Sequence, residues 1–342
     1  MDRREIQTIL SAAGLAPQHR YGQNFMVDQN ILKAIAEAGE IQPGDVVLEV
    51  GPGVGNLTRQ LSERVGPQGW VVAVDIDKRL LAASQRHHAA LGNVVWLQGD
   101  VLAGKHELNP EVLAKLDELR TPAAGTGPRR GIKLVSNLPY NAASPLVAEL
   151  LVWCVEQQGS RGLVDPSRDR KGATPDPQDQ YGSLPDGRGS DSPLPPPAVA
   201  RLAFTVQWEV AQRLTAKPDT SDYGPLGVLI QLAADVEIVR KIPPGAFWPP
   251  PKVNSGLVVI IPQAEKLARI KDAVSLQRLL AGLFGHRRQK LLNGLKHYLG
   301  EQFENGLADR ITAAGIDLTL RPEALEPEAF LTMTALVGTV VK

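Results

Sequence analysis

Between Val46 and Val206 the chain keeps returning to short apolar runs rich in β-branched residues. They are "VVLEV" (Val46–Val50), "WVVAVD" (Trp70–Asp75), "NVVWLQGD" (Asn93–Asp100), "IKLVSN" (Ile132–Asn137) and "RLAFTV" (Arg201–Val206). Helical patterns separate the early runs; Leu57, Leu61 and Val65, for example, fall one turn apart. Apolar strands that alternate with helices have few ways to fold. They form a parallel sheet, because each crossover helix must lie on one of its faces. Two further runs, "VEIVRKI" (Val236–Ile242) and "NSGLVVIIP" (Asn254–Pro262), are joined by a stretch of hairpin length, "PPGAFWPPP". That pair is expected to be antiparallel. From Ala264 onward the pattern is wholly helical. The expectation is an α/β domain over 1–263 and a small all-helical C-terminal domain over 264–342.

One segment breaks the alternation. Residues 158–200 read "QGSRGLVDPSRDRKGATPDPQDQYGSLPDGRGSDSPLPPPAVA", rich in Pro, Gly, Asp and Ser. A stretch with so few large apolar groups cannot offset the entropy of ordering, so it is expected to be a disordered surface insertion. A smaller stretch of the same character, "TPAAGTGPRRG", precedes the fourth strand.

Composition removes several function classes. Cys154 is the only cysteine, which excludes an internal disulfide and points to a reducing compartment. It lies in "LLVWCVE", an apolar helical run, and reads as an inert core thiol. No apolar run approaches the roughly 20 residues that span a bilayer, and "MDRREIQTIL" lacks the apolar core of a signal peptide. A cytoplasmic protein with no membrane partner is expected. Lys+Arg and Asp+Glu number 37 each, which argues against a uniformly basic coat but leaves room for a local basic face. The 6 His are scattered, and neither metal-ligand spacing nor a Ser/His/Asp arrangement is present.

The chemistry starts after the first strand, in "EVGPGVGNLT" (Glu49–Thr58). Glycines at a strand-to-helix turn let the backbone approach a ligand while helix N–H groups point at it. The nicotinamide fingerprint is G-x-G-x-x-G. Here the third glycine arrives one residue early, as Gly51, Gly53 and Gly55, which fits the E-x-G-x-G-x-G loop of S-adenosylmethionine (SAM) methyltransferases. Asp75 ends the second strand, where an acid accepts from ribose hydroxyls in doubly wound folds. Asp100 ends the third, where a carboxylate can accept from the exocyclic amine of an adenine. Two acids and a glycine loop at successive strand ends mark the edge at which open α/β sheets bind ligands. The fold expected is a Rossmann-like class I SAM methyltransferase sheet.

The fourth strand runs into "NLPY", Asn137 to Tyr140. This tetrad resembles the N/D-P-P-Y/F signature of amino-group methyltransferases. An amine conjugated into a ring has a delocalised, poorly nucleophilic lone pair. Asn137 can accept one N–H through its side-chain carbonyl, and the Leu138 backbone carbonyl can accept a second. Together they favour a pyramidal nitrogen and aim its lone pair. Pro139 stiffens the turn and brings no competing donor. Tyr140 offers a face for a splayed-out base, worth about 1–3 kcal/mol.

Six blocks then appear in order: "RYGQNFMVDQNIL", "VLEVGPGVGNLT", "NLPYNAASPL", "TVQWEVAQRL", "DYGPLGVLIQ" and "AFWPPPKVNSGLVVI". With them the chain resembles the bacterial small-subunit (16S) rRNA adenine N6,N6-dimethyltransferases of the rRNA adenine dimethylase superfamily, outside about residues 103–130 and 158–200. The resemblance implies SAM as cofactor. It implies two adjacent adenines near the 3′ end of small-subunit rRNA as target, the immature small subunit as partner, and a monomeric enzyme. It places cofactor contacts on Asn24, Met26, Gly51, Gly53, Asp75, Asp100 and Asn137, with Met26 standing where Leu is usual. It makes Asn137, Leu138, Pro139 and Tyr140 the catalytic tetrad, and Phe247 the ring on the opposite face of the target base. Trp208 stands where the family most often has Lys, which bears on a basic contact and not on the fold.

In "LQRLLAGLFGHRRQKLLNGLK" the leucines and Phe284 form a helical core stripe, while Arg287, Arg288, Lys290 and Lys296 sit off it. No acid occurs from Ala273 to Gly300. Beside a base-flipping domain these cations are read as phosphate contacts. A large-subunit rRNA dimethylase and a non-catalytic assembly or transcription factor of the same fold are the competing readings. "GHRRQKLLNGLK" favours the small-subunit family over the first, and the intact tetrad and acids speak against the second.

Overall fold

The computed structural model describes residues 1–18, 23–104, 107–121, 130–161 and 194–338. Helix α1 (Arg3–Ala12) opens on a reciprocal cap: Asp2 accepts from Glu5 N at 3.0 Å, and Glu5 accepts from Asp2 N at 2.6 Å. Strand β1 (Phe25–Met26) and helix α2 (Gln29–Ala38) follow. Then come β2 (Val46–Val50), α3 (Asn56–Val65), β3 (Trp70–Asp75), α4 (Lys78–His87) and β4 (Val94–Gln98). A short hairpin, β5 (Leu102–Gly104) and β6 (Glu107–Leu108), leads into α5 (Pro110–Arg120). The second half has β7 (Ile132–Ser136), α6 (Tyr140–Arg161), β8 (Val199–Gln207), α7 (Trp208–Leu214), α8 (Pro225–Ala233), β9 (Ala234–Ile242), β10 (Phe247–Trp248) and β11 (Ser255–Pro262). Helices close the chain: α9 (Ala264–Arg269), α10 (Ala273–Gly285), α11 (Leu291–Leu299), α12 (Asn305–Ala313) and α13 (Pro327–Val337).

Seven strands form one sheet in the order β4-β3-β2-β7-β8-β11-β9. β4 to β8 are parallel, and β11 runs antiparallel to both β8 and β9, as the short connection predicts. The chain winds outward from β2 to β4, then returns to β7 on the other flank of β2. That reversal opens a crevice beyond the C-terminal ends of β2 and β7. All five residues of β2 are buried. Val46, Leu48 and Val50 belong to the large core cluster that includes α5 and α6, while Val47 belongs to a second one with α2 and α3. A smaller cluster of Ile6, Leu10, Phe25, Val54 and Leu80 seats α1 over the crevice rim.

The predicted stripe on α10 is core: Leu276, Leu279, Leu280, Leu283 and Phe284 are all buried. These helices share a cluster with α6 and α8, and Tyr223 Oη donates to Leu325 O at 2.9 Å. The flanks of the predicted 158–200 insertion are regular, which corrects its boundaries. α6 runs on to Arg161, and β8 begins at Val199 because its backbone finds a ladder on β7; Ile132 N donates to Ala198 O at 2.8 Å. Residues 162–193 of that insertion, and 122–129 of the smaller one, lie outside the described residues.

Candidate functional site

The glycine loop lies across the crevice with Gly51, Gly53 and Gly55 all at positive φ. At Gly55 (φ +82°) a Cβ would sit 2.4 Å from the His88 ring. His88 is buried, and its Nε2 donates to Val54 O at 3.0 Å; burial holds the imidazole below its usual range and so neutral. Ser84 donates from the same helix region to Gly53 O. Two side chains at the end of α4 therefore fix the loop's carbonyls. Gly51 meets the other half of the site: a Cβ there would lie 3.0 Å from Pro139.

Asp75 ends β3, and only 8% of it is exposed. Its carboxylate accepts from Asp77 N at 2.8 Å. Burial pushes the carboxyl from 3.8 up to about 6, against the pull of that N–H. Asp100 is exposed at the sheet's edge, where it accepts from Leu102 N at 3.0 Å. Glu49 ends β2 at 2% exposure, and burial pushes its carboxyl to about 8, tempered by the nearby Thr58 hydroxyl and reinforced by Asp75. Among the described residues Glu49 Oε2 has no hydrogen-bond partner.

The turn after β7 is tied down at every polar atom its side chains offer. Ser136 Oγ donates to Val50 O at 2.6 Å, binding β7 to β2 just below it. Asn137 Nδ2 donates to Asn24 O at 3.2 Å, and Asn137 Oδ1 accepts from Thr205 Oγ1 at 2.6 Å. Tyr140 Oη and Ser255 Oγ are 2.7 Å apart, and burial raises the phenol so that it stays protonated. Phe25 and Met26 pair antiparallel with Trp248 and Phe247, so that β1 and β10 close one wall together. The rings of Phe25 and Trp248 stack with centroids 6.3 Å apart.

One cavity is lined by all the residues that sequence reasoning assigned to cofactor and catalysis: Asn24, Met26, Gly51, Gly53, Asp75, Asp100, the Asn137–Tyr140 turn and Phe247. The assigned basic residues lie elsewhere, in the connection between α10 and α11 and on α11 itself. Arg288, Lys290 and Lys296 are exposed there. Arg287 is half-buried: its Nε donates to Glu323 at 2.8 Å and its Nη1 to Ser221 O at 3.1 Å. Glu49, Ser84, His88, Thr205 and Ser255 are the residues sequence reasoning did not assign. Only Glu49 carried a signal, as the first residue of the glycine motif. No group of three or more metal-ligating side chains occurs among the described residues, and none of their helices is long and apolar enough to cross a membrane.

The family model for ribosomal RNA adenine dimethylase matches residues 15–336. The chain belongs to this family. It is 32% identical over 323 residues to the ribosomal RNA small subunit methyltransferase A of Moorella thermoacetica, covering 94% of this chain and 92% of that one. The protein of the same name from Phenylobacterium zucineum is 33% identical over 329 residues, covering 96% and 90%. Among solved structures, a dimethyladenosine transferase from Plasmodium falciparum superposes with a TM-score of 0.61 at 21% identity, over 93% of this chain and 98% of that one. The 23S rRNA methyltransferase ErmE does so with a TM-score of 0.52 at 20% identity, over 92% and 100%. These two share the fold of this chain. As a ribosomal RNA adenine dimethylase the chain is a SAM-dependent enzyme acting on rRNA.

Proposed function

We propose that this enzyme transfers methyl groups from SAM to N6 of two adjacent adenosines near the 3′ end of small-subunit (16S) rRNA. The product is N6,N6-dimethyladenosine, made on the immature small subunit during its assembly. We take the enzyme to act as a monomer. The observation that carries the reading is the meeting of two halves in one cavity: the glycine loop with its acids, and the Asn137 turn held by both its amide atoms.

The residues present fit SAM. The cofactor is cationic at its sulfonium and its amine, and Glu49 offers a buried carboxyl whose Oε2 is unpartnered. Asp75 would hold the ribose hydroxyls and Asp100 the adenine amine, with Asn24, Met26 and the glycine loop completing the walls. Bound SAM supplies an electrophilic methyl. The protein's own task is positioning. Asn137 Oδ1 and Leu138 O accept the N–H groups of the target amine and pyramidalise its nitrogen, while Tyr140 and Phe247 hold the base between them. No general base is required, because the conjugated amine brings its own lone pair and sheds its proton once alkylated.

Asp75 makes cofactor binding pH-dependent. Its carboxyl is pushed up to about 6, so protonation removes the ribose acceptor within a mild range. Through Asp75 the Kd for SAM should rise about tenfold between about pH 7 and pH 5, while the Glu49 carboxyl, pushed to about 8, titrates in a separate and higher range. Calorimetry on Asp75→Asn should show weak binding with that slope gone; an unchanged slope would move the titration elsewhere. Folding stability runs the other way. Ionised Asp75 is penalised by burial, a cost absent below the ordinary 3.8 and complete above about 6.

The acid-free stretch over α10 and α11 is proposed as the RNA-binding face of the 264–342 lobe, with Arg288, Lys290 and Lys296 on phosphates. Reversing these three to Glu should weaken subunit binding and lower the salt slope by about two to three. SAM affinity should not change. An unaltered slope would return the charges to a merely solvated face. Arg287 is left in place, since its bond to Glu323 ties the α10–α11 connection to the segment before α13. Labelled SAM and small subunits lacking the modification test the whole reading. With unmodified 23S rRNA offered in a parallel reaction, label should enter 16S rRNA; label in 23S rRNA instead would overturn the small-subunit target.

A further inference from the structure

We propose that the buried hydroxyl of Thr205 is a positioning group for methyl transfer, fixing which atom of the Asn137 amide meets the target amine. The inference rests on the function proposed above. Thr205 lies on β8 and is 0% exposed. β7 and β8 pair up to Ser136 opposite Phe204, so Asn137, just past β7, and Thr205, the next residue on β8, stand side by side where the ladder ends. Thr205 Oγ1 lies 2.6 Å from Asn137 Oδ1.

The chemistry of the partners settles the direction of each bond. The other end of the amide, Nδ2, lies 3.2 Å from Asn24 O. A backbone carbonyl only accepts, so the nitrogen must face Asn24. The oxygen then faces Thr205, and the hydroxyl must be the donor. Both amide ends are fixed, one by the wall that carries Met26 and the other by the sheet. An Asn side chain otherwise turns about a broad, roughly two-fold terminal torsion. Turned over, it would present a donor to the target amine, which itself donates.

Thr205 also sets how much the amide can accept. An amide oxygen has two acceptor sites. The Thr205 bond takes one and leaves one, so Asn137 can receive a single N–H from the substrate. The second N–H of an unmethylated amine must go elsewhere, and Leu138 O is the neighbour proposed to take it. Nothing in local packing calls for a hydroxyl here. The residues before and after, Phe204 and Val206, and the partner across the ladder, Leu257, are all buried apolar groups. A buried hydroxyl is costly unless hydrogen-bonded, and this one is bonded to a residue of the site.

The test compares Thr205→Val and Thr205→Ser in the full chain. Valine keeps the volume and branching and removes only the donor. At saturating SAM and subunit, Thr205→Val should lower kcat about tenfold while the Kd for SAM and the melting temperature stay close to those of the parent. Thr205→Ser restores the donor, and kcat should return to within about threefold. Wild-type kcat in Thr205→Val would overturn the proposal. So would an equal loss in both variants accompanied by a lower melting temperature, since that marks a packing role. The parent enzyme runs alongside: absence of transfer by the parent would overturn the functional reading itself, which a defect confined to the variants does not touch.

Discussion

Replacing Asn137 by alanine lowers methyl transfer by about 10²–10³-fold, the usual cost of removing one preorganised hydrogen-bonding group from a transition state. The loss is large because Asn137 is the one side chain in the turn whose oxygen can take an N–H of the amine. Its two bonds, to Asn24 O and from Thr205 Oγ1, hold it ready before substrate arrives. SAM affinity should change only a few-fold, because the glycine loop, Asp75 and Met26 are untouched. The truncation also leaves Thr205 Oγ1 without its acceptor, which costs about 1–3 kcal/mol of stability. Single-turnover rates at saturating SAM, read together with melting temperature, separate these effects. A variant that loses stability but transfers methyl normally would make Asn137 a strand-exit residue and nothing more.

Gly55→Ala gives the second large effect, on stability and cofactor binding together. The residue sits at φ +82°, where a side chain costs about 1–2 kcal/mol. Its Cβ would fall 2.4 Å from the His88 ring, which cannot yield without giving up Val54 O. Overpacking of that kind adds about 1–3 kcal/mol. Gly315 provides the comparison: it has φ +85° and nothing within 4 Å of a built Cβ. Gly315→Ala should cost only the backbone strain. Gly55→Ala should cost about twice that or more and weaken SAM binding at least about tenfold, because the displaced loop forms the cofactor wall. Calorimetric unfolding and SAM titration of both variants give the answer. Equal stability losses would mean that His88 moves aside freely and does not fix the loop.

What could be read in the sequence was what lies close together in it. The bounds of β2 and β3 follow from runs of Val with turn residues at each end, and both strands lie where that pattern puts them. The glycine loop, Asp75, Asp100 and the Asn137 turn are each carried by one strand end, so strand order alone brings them to one crevice. The supports of the site were not legible, because each comes from a distant strand or helix whose register the sequence does not display. Thr205 reads as one more residue of an apolar strand, and only the β7–β8 ladder sets it beside Asn137. Ser255 is opposite Gln207 for the same reason, and it reaches Tyr140 only through the sheet. His88 belongs to no cluster in sequence, yet the end of α4 carries it under Val54. β1 and β10 are two residues each, too short for any alternation to show, and they become strands only by pairing with one another. Arg287 sits off the α10 stripe as its neighbours do, and the ion pair with Glu323 distinguishes it from them. The 158–200 stretch misled in the opposite direction: its composition hides the backbone ladder that starts β8 at Val199.

The turn after β7 is proposed to present an exocyclic amine to the methyl donor. Methyl-labelled SAM, small subunits lacking the modification and position-specific nucleoside analysis of the product test it most directly. Two adjacent adenosines, each carrying both labelled methyls on N6, are expected. Label on a ring nitrogen or carbon of adenine, or on a ribose hydroxyl, would contradict it, because acceptors placed for amine N–H groups have no role at those atoms.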